Sequence, residues 1–191
     1  TRKITRAISR IALGMQDKLF LGNLSAKRDW GHAKDYIKAM YLILQQEKAD
    51  DYVIATGITT TIRDFIKMAV KEIGLEITFQ GEGTNEKGYF TAVDEALFTE
   101  KVGAPYLEGI KARIKRDGDG QAVVAVDPTY FRPTEVELLI GDPTKSKTVL
   151  GWQPQYDLAG LIQDMMRSDI KLMQKDALLQ EGGYRTLNYF E

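Results

Sequence analysis

The chain has no cysteine and a single histidine, His32. Disulfides, thiolate nucleophiles and thiolate metal sites are thereby excluded, as is a zinc site built from several histidines. Its 26 basic and 27 acidic side chains leave a formal charge of −1. It therefore lacks the positive footprint of a nucleic-acid binder and any bias towards anionic membranes. No apolar run approaches membrane-spanning length and no secretory pattern opens the sequence, so a cytoplasmic location is the expectation.

The signatures of hydride chemistry are also missing. A dinucleotide needs a glycine-rich turn between a strand and a helix, because only glycine lets the backbone approach the pyrophosphate. Gly81-Glu82-Gly83 and Gly118-Asp119-Gly120 sit instead among polar residues and read as loop glycines. No phosphate-binding loop of the lysine–serine/threonine type is present. No tyrosine is followed four residues later by lysine, the spacing that puts both on one helix face and lowers the phenol's pKa. Serine, histidine and carboxylate form no convincing triad pattern.

At 191 residues the chain can bury a real core. Thr1–Leu13 reads as an amphipathic helix through Ile4, Ile8, Ile11 and Ala12. The sequence opens on the threshold of that helix, which points to an upstream portion. Short strands are expected at Lys18–Leu21, Arg28–Trp30 and Ile77–Gln80, with buried-type strands at Tyr52–Ala55 and Val123–Val126. Ala33–Gln46 reads as a helix with Tyr36, Ile37, Met40, Tyr41 and Leu44 on one face and Asp35 in its first turn, where a carboxylate suits the dipole. Thr61-Ile62-Arg63-Asp64 matches a capping box and opens a helix ending at Gly74. Asp142-Pro143 is a helix start, and Asp157 caps a long final helix. From Gly81 to Gly120 the pattern decays except for a helix near Asp94–Lys101, so 83–121 is expected to be an insertion. Alternating helices and strands give an α/β class, α+β-like in this piece.

Two segments carry binding chemistry. Lys27-Arg28-Asp29-Trp30-Gly31-His32-Ala33-Lys34-Asp35 sets an arginine just before a helix start, a combination suited to an anion. In Tyr130-Phe131-Arg132-Pro133-Thr134-Glu135, proline holds the arginine's backbone extended. Two such forks on one cleft would suit a diphosphate, with Glu135 for a ribose. The alternatives are a surface Arg28 paired with Asp29 and a capping Glu135. A lone His32 is read as structural and Trp30 as core. Arg2 and Lys3 at a helix start oppose the dipole, which a bound phosphate or simple solvation would offset.

The segments 28–35 and 132–135, together with Gly141-Asp142-Pro143-Thr144-Lys145 and Leu150-Gly151-Trp152-Gln153-Pro154, resemble the carboxyl-terminal half of extended short-chain dehydrogenase/reductase enzymes that modify nucleotide sugars. Within them the likeness is to the GDP-mannose 4,6-dehydratases, which also have counterparts of Thr1–Arg6, Leu21–Leu24 and Tyr52–Gly57. It covers most of the chain outside Gly83–Gln121; Ser25 departs from a common aspartate. The resemblance implies a two-part enzyme, with an amino-terminal Rossmann half, absent here, that binds NADP and supplies catalysis. The reaction oxidises C4 of the sugar, eliminates water across C5 and C6, and returns the hydride to C6. It implies that GDP-mannose is held by Thr1, Arg2, Lys3, Gly22, Arg28, Arg132, Pro133, Thr134 and Glu135, with no catalytic residue in this chain. The two arginines would clasp the diphosphate bidentately. A related UDP- or dTDP-sugar enzyme, or a non-catalytic interaction domain, are the alternative readings. Apolar faces Ile4/Ile8/Ile11 and Ile37/Met40/Leu44 are expected to need the missing half or a second copy, and the parent is expected to be a homo-oligomer.

Overall fold

The structure, a computed structural model, describes residues 1–114, 120–134 and 138–186. Helix α1 (Arg2–Ala12) turns Ile4, Ile8 and Ile11 inward at helical spacing and packs on the long helix α7 (Leu158–Glu181). Helix α3 (Ile62–Lys71) joins both through Phe65, Ile66, Ala69 and Val70. The α1 face thus finds its core within this chain, which corrects the expectation that it needs another partner. Caps are where the sequence puts them. Thr61 Oγ1 accepts from Asp64 N at 3.0 Å, and Asp157 Oδ1 accepts from Gly160 N at 2.8 Å, each satisfying one of the free amides at a helix start.

Below these helices runs a sheet in the order β1 (Leu19–Leu21), β6 (Val124–Val126), β5 (Lys87–Val93), β4 (Leu75–Gln80). β1 and β6 are parallel, with Leu19 opposite Val124; β5 runs antiparallel to both neighbours. Residues 83–121, expected as an irregular insertion, therefore supply an interior strand. They also supply helices α4 (Glu95–Lys101) and α5 (Leu107–Lys111), which bury Phe98 and Ile110 in the main core. The alternation of β5 is hidden because the inward residues where it begins are not apolar. Glu86, just before the strand, is buried and accepts from Arg63 Nε at 2.6 Å. At Gly88 a Cβ would stand 2.9 Å from Phe79 Cε1 and 3.1 Å from Val124 Cβ, so a close approach of neighbours occupies the place of a side chain.

A second, small sheet has β2 (Lys27–Asp29) between β3 (Thr59–Thr61), antiparallel, and β7 (Leu138–Leu139), parallel. Beside it, α2 (Ala33–Leu44) and α6 (Thr144–Leu150) enclose a minor core of Ala39, Leu150 and Trp152. Tyr52–Ala55, expected as a buried strand, joins neither sheet. It is held from the side instead: Ser146 Oγ donates to Val53 O, and Lys145 Nζ donates to Asp51 O at 2.9 Å. β-branched composition signals a fit to a pleated surface and not the presence of a pairing strand. The apolar face read on α2 is exposed: Ile37 is 65 % and Leu44 80 % accessible, with Met40 and Tyr41 similar. Among the described residues no helix is long and apolar enough to cross a membrane.

Candidate functional site

Helix α1, the end of β1 and the loop 127–132 converge on one corner. Lys3 Nζ lies 4.2 Å from the centre of the Tyr130 ring, an arrangement that holds a cation near a helix start despite the dipole. Gly22 closes β1 against the Tyr130 carbonyl; a Cβ there would be 2.4 Å from Tyr130 O. Next to it, Asn23 Nδ2 donates to Arg132 O and Arg132 N donates to Asn23 Oδ1, both at 2.9 Å. A cavity of about 270 Å³ lies between Leu21, Gly22, Asn23, Ile62, Tyr130 and Arg132. A neighbouring cavity of about 290 Å³ shares Tyr130 and is lined by Lys3, Arg10, Lys18 and Asp127, together with Arg6, which faces Asp169 at 3.7 Å. The Asp127 carboxylate already accepts from Thr129 N at 2.8 Å. The surplus of positive charge suits a phosphorylated ligand.

The expected site residues thus fall into groups. Gly22 and Arg132 line one cavity, and Lys3 lines the neighbouring one, on the other side of Tyr130; Thr1 and Arg2 begin α1, exposed, and Pro133 and Thr134 form the exposed turn after Arg132. Glu135 lies outside the described residues. Arg28 stands apart, on β2, opposite Thr60 and Leu139. It lines neither cavity, and one Nη1 hydrogen goes to Lys27 O at 2.8 Å. The connection between the arginines is topological: β7, which follows Arg132, is the strand parallel to β2. Asp29 is not taken up by Arg28. Its carboxylate accepts from Thr56 N, Thr56 Oγ1 and Gly57 N at 3.1, 2.6 and 2.8 Å.

Within the rest of the 28–35 segment, Trp30 packs on Phe65 of the main core with ring centroids 4.8 Å apart, while His32 and Asp35 hold the start of α2. His32 caps α2, accepting from Lys34 N at Nδ1, 3.1 Å, which leaves its proton on Nε2 towards Asp164 Oδ2 at 3.4 Å. Its ring stacks on Tyr156 with centroids 4.2 Å apart. Asp35 is buried and accepts from Gln155 N and Tyr156 N at 3.0 and 3.1 Å, while its carbonyl accepts from Trp152 Nε1 at 2.9 Å. Sequence reading found Asp35 only as a dipole partner, because its acceptors' donors lie far along the chain. Asn23 and Tyr130 were likewise not marked as site residues. The one available signal was an amide side chain after a turn glycine.

Arg167 donates to Asp164 Oδ1 at 2.6 Å and is the first cause holding that carboxyl below its usual range, with the His32 contact adding to it. A depressed carboxyl contributes stability that is complete above the ordinary carboxylate value and is lost as pH falls through the lower, folded value. An acid titration of melting temperature should therefore show a shallower acid limb for Asp164→Asn than for the parent; superimposable limbs would refute the linkage.

Tyr36 is pushed up, first by burial and then by the Asp29 charge, the opposite of what proton abstraction requires. The Gly81–Gly83 turn joins the antiparallel strands β4 and β5, so it is a hairpin connection and offers no helix start to a pyrophosphate. That turn therefore does not fit a nicotinamide dinucleotide, and Gly118-Asp119 of the other glycine turn lie outside the described residues.

Residues 1–165 match the family model described as GDP-mannose 4,6 dehydratase. The chain belongs to the GDP-mannose 4,6-dehydratase family. It is 44 % identical over 184 residues to a Vibrio cholerae GDP-mannose 4,6-dehydratase, covering 96 % of this chain and 45 % of that protein. It is 42 % identical over 178 residues to GDP-mannose 4,6 dehydratase 2 of Caenorhabditis elegans, covering 93 % and 40 %. The chain thus spans less than half the length of the curated relatives it matches. In fold it is similar to RMD from Pseudomonas aeruginosa, solved in complex with NADPH, with a TM-score of 0.59 at 16 % identity over 90 % of this chain and 42 % of that one. It is also similar to UDP-glucose 4-epimerase from Bifidobacterium longum, solved with NAD+ and UDP, at a TM-score of 0.54 and 13 % identity over 91 % and 40 %. The mixed α/β fold is accordingly shared with part of each of these two structures.

Proposed function

We propose that this chain is the nucleotide-sugar-holding part of a GDP-mannose 4,6-dehydratase, and that it does not turn over substrate by itself. The observation that carries the reading is the gathering of Lys3, Gly22 and Arg132 around Tyr130 at one cationic corner. Arg132 supplies a planar fork to the diphosphate. Gly22 lets backbone approach the nucleotide, and Thr1, Arg2 and Lys3 flank it. Pro133, Thr134 and Glu135 line the ribose and guanine side. Arg28 reaches the ligand from β2, beside β7.

NADP, when bound, supplies the hydride acceptor. It would be held by the part of the family's length that lies outside this chain; the Gly81–Gly83 turn here, a hairpin connection, is not suited to it. The exposed face of Ile37, Met40, Tyr41 and Leu44, with the unpaired Tyr52–Ala55 beside it, supports docking of that other part, or of a second copy, on α2. A homo-oligomeric parent agrees with this.

The test is calorimetric titration of GDP-mannose into full-length protein carrying Arg132→Ala or Arg28→Ala. Loss of a charged partner costs about 1.5–3 kcal/mol, which is about ten- to a hundredfold in Kd. Binding unchanged in both variants would remove the basis of the assignment. Weakening by Arg132→Ala alone would keep the corner and release Arg28 from it.

A further inference from the structure

We propose that Asn23 is a positioning residue for Arg132: its carboxamide holds both peptide groups of that arginine so that the guanidinium faces the nucleotide diphosphate. The inference rests on the reading of Arg132 given above and adds to it a residue whose carboxamide is engaged with the Arg132 backbone.

The geometry is specific. One side-chain amide uses its acceptor on Arg132 N and its donor on Arg132 O, both at 2.9 Å. Two bonds from one planar group to the two peptide groups of one residue fix the plane from which its Cβ departs. Asn23 is separated from Arg132 by 109 residues, so this is not the local turn that asparagine commonly forms with its own neighbours. The clasp is also one of two seams. At the other end of the loop, Asp127 N donates to Leu21 O at 2.8 Å, while Tyr130 N and Phe131 N both return to Asp127 O at 3.0 Å. Between the seams, the Tyr130 carbonyl sits where a Cβ on Gly22 would be. The loop is therefore pinned to the end of β1 on both sides, and Asn23 is the pin at the arginine.

Both bonds are solvent-exposed. An exposed hydrogen bond exchanges readily with water, so losing this pair costs the fold little. Its loss would instead let the Arg132 backbone rotate, and the ordering of that loop would then have to be made good by the ligand. The effect should thus appear in substrate affinity and not in stability or turnover.

The experiment uses full-length protein with GDP-mannose as the probe, and compares Asn23→Ala, Asn23→Ser, Arg132→Ala and the double variant Asn23→Ala/Arg132→Ala. Asn23→Ala is expected to raise Kd and KM about tenfold with kcat and melting temperature near the parent's. Asn23→Ser, which can restore at most one of the two bonds, should fall between. In the Arg132→Ala background, Asn23→Ala should add nothing, because the group it positions is gone. Additive losses in the double variant, or an Asn23→Ala that binds like the parent while Arg132→Ala does not, would overturn the proposal. So would a joint fall in kcat and melting temperature, which would make Asn23 a folding residue. If Arg132→Ala itself binds normally, the reading of the arginine fails and this inference with it, a pattern distinct from the others.

Discussion

Trp152→Ala is expected to lower stability by about 3–5 kcal/mol and melting temperature by on the order of 10 °C for a chain of this size. Trp152 is fully buried, packs with Ala39 and Leu150, and donates from Nε1 to Asp35 O at 2.9 Å. Truncation opens a cavity in a minor core too small to refill it, and strips a buried carbonyl of its partner. Trp152→Phe separates the two effects, because it keeps most of the volume and loses only the bond; a cost of about 1–3 kcal/mol is expected. The damage should spread to the site. Asp35 also accepts from Gln155 N and Tyr156 N, and α2 follows directly on β2, which carries Arg28. On the proposed reading, any binding of GDP-mannose by the full-length protein should therefore weaken in the alanine variant at temperatures where it is still folded. Thermal melts of the three proteins check this, and an alanine variant melting within a degree or two of the parent would contradict it.

Asp169→Ala should be about as severe, for an electrostatic reason. Asp169 lies in the middle of α7, buried, where it accepts from Thr5 Oγ1 at 2.6 Å and faces Arg6 Nε at 3.7 Å. Arg6 is itself only 7 % exposed. Removing one member of a buried pair takes a counterion from the other charge, at a cost of about 3–5 kcal/mol. Replacing both members by apolar residues of similar volume is often neutral. The double variant Arg6→Met/Asp169→Leu should accordingly recover most of what Asp169→Ala loses in a chemical melt. If the double variant is no better than the single one, the pair does not hold α1 on α7 as argued.

The helices were legible because their signals are local. The three-to-four-residue spacing of Ile4, Ile8 and Ile11, the caps at Thr61 and Asp157, and the glycine ending α3 each act within a turn or two of chain. The strand at 87–93 was not legible. It is preceded by a paired carboxylate at Glu86 and carries a glycine at its inward position Gly88, and neither looks like core until Arg63 and the neighbouring strands are in place. Tyr52–Ala55 failed in the other direction, having the composition of a strand without a partner to pair with. The α2 face was read correctly as apolar, but apolar character does not say whether anything in the same chain covers it.

By itself, the order of residues determined the mixed α/β class, the starts of α2, α3 and α7, the absence of thiols and of a multi-histidine zinc site, and which arginines were worth following. Only the tertiary structure decided that Arg132 joins Gly22, with Lys3 on the other side of Tyr130, while Arg28 stands on a separate sheet, that Asn23 clasps Arg132, and that Asp35 and Asp169 are buried anchors. The physical reason is range. Periodicity, capping and turn preferences act between near neighbours and leave a mark in the sequence. The contact of an asparagine with an arginine 109 residues away depends on how whole helices and strands pack, and no short stretch of chain records it.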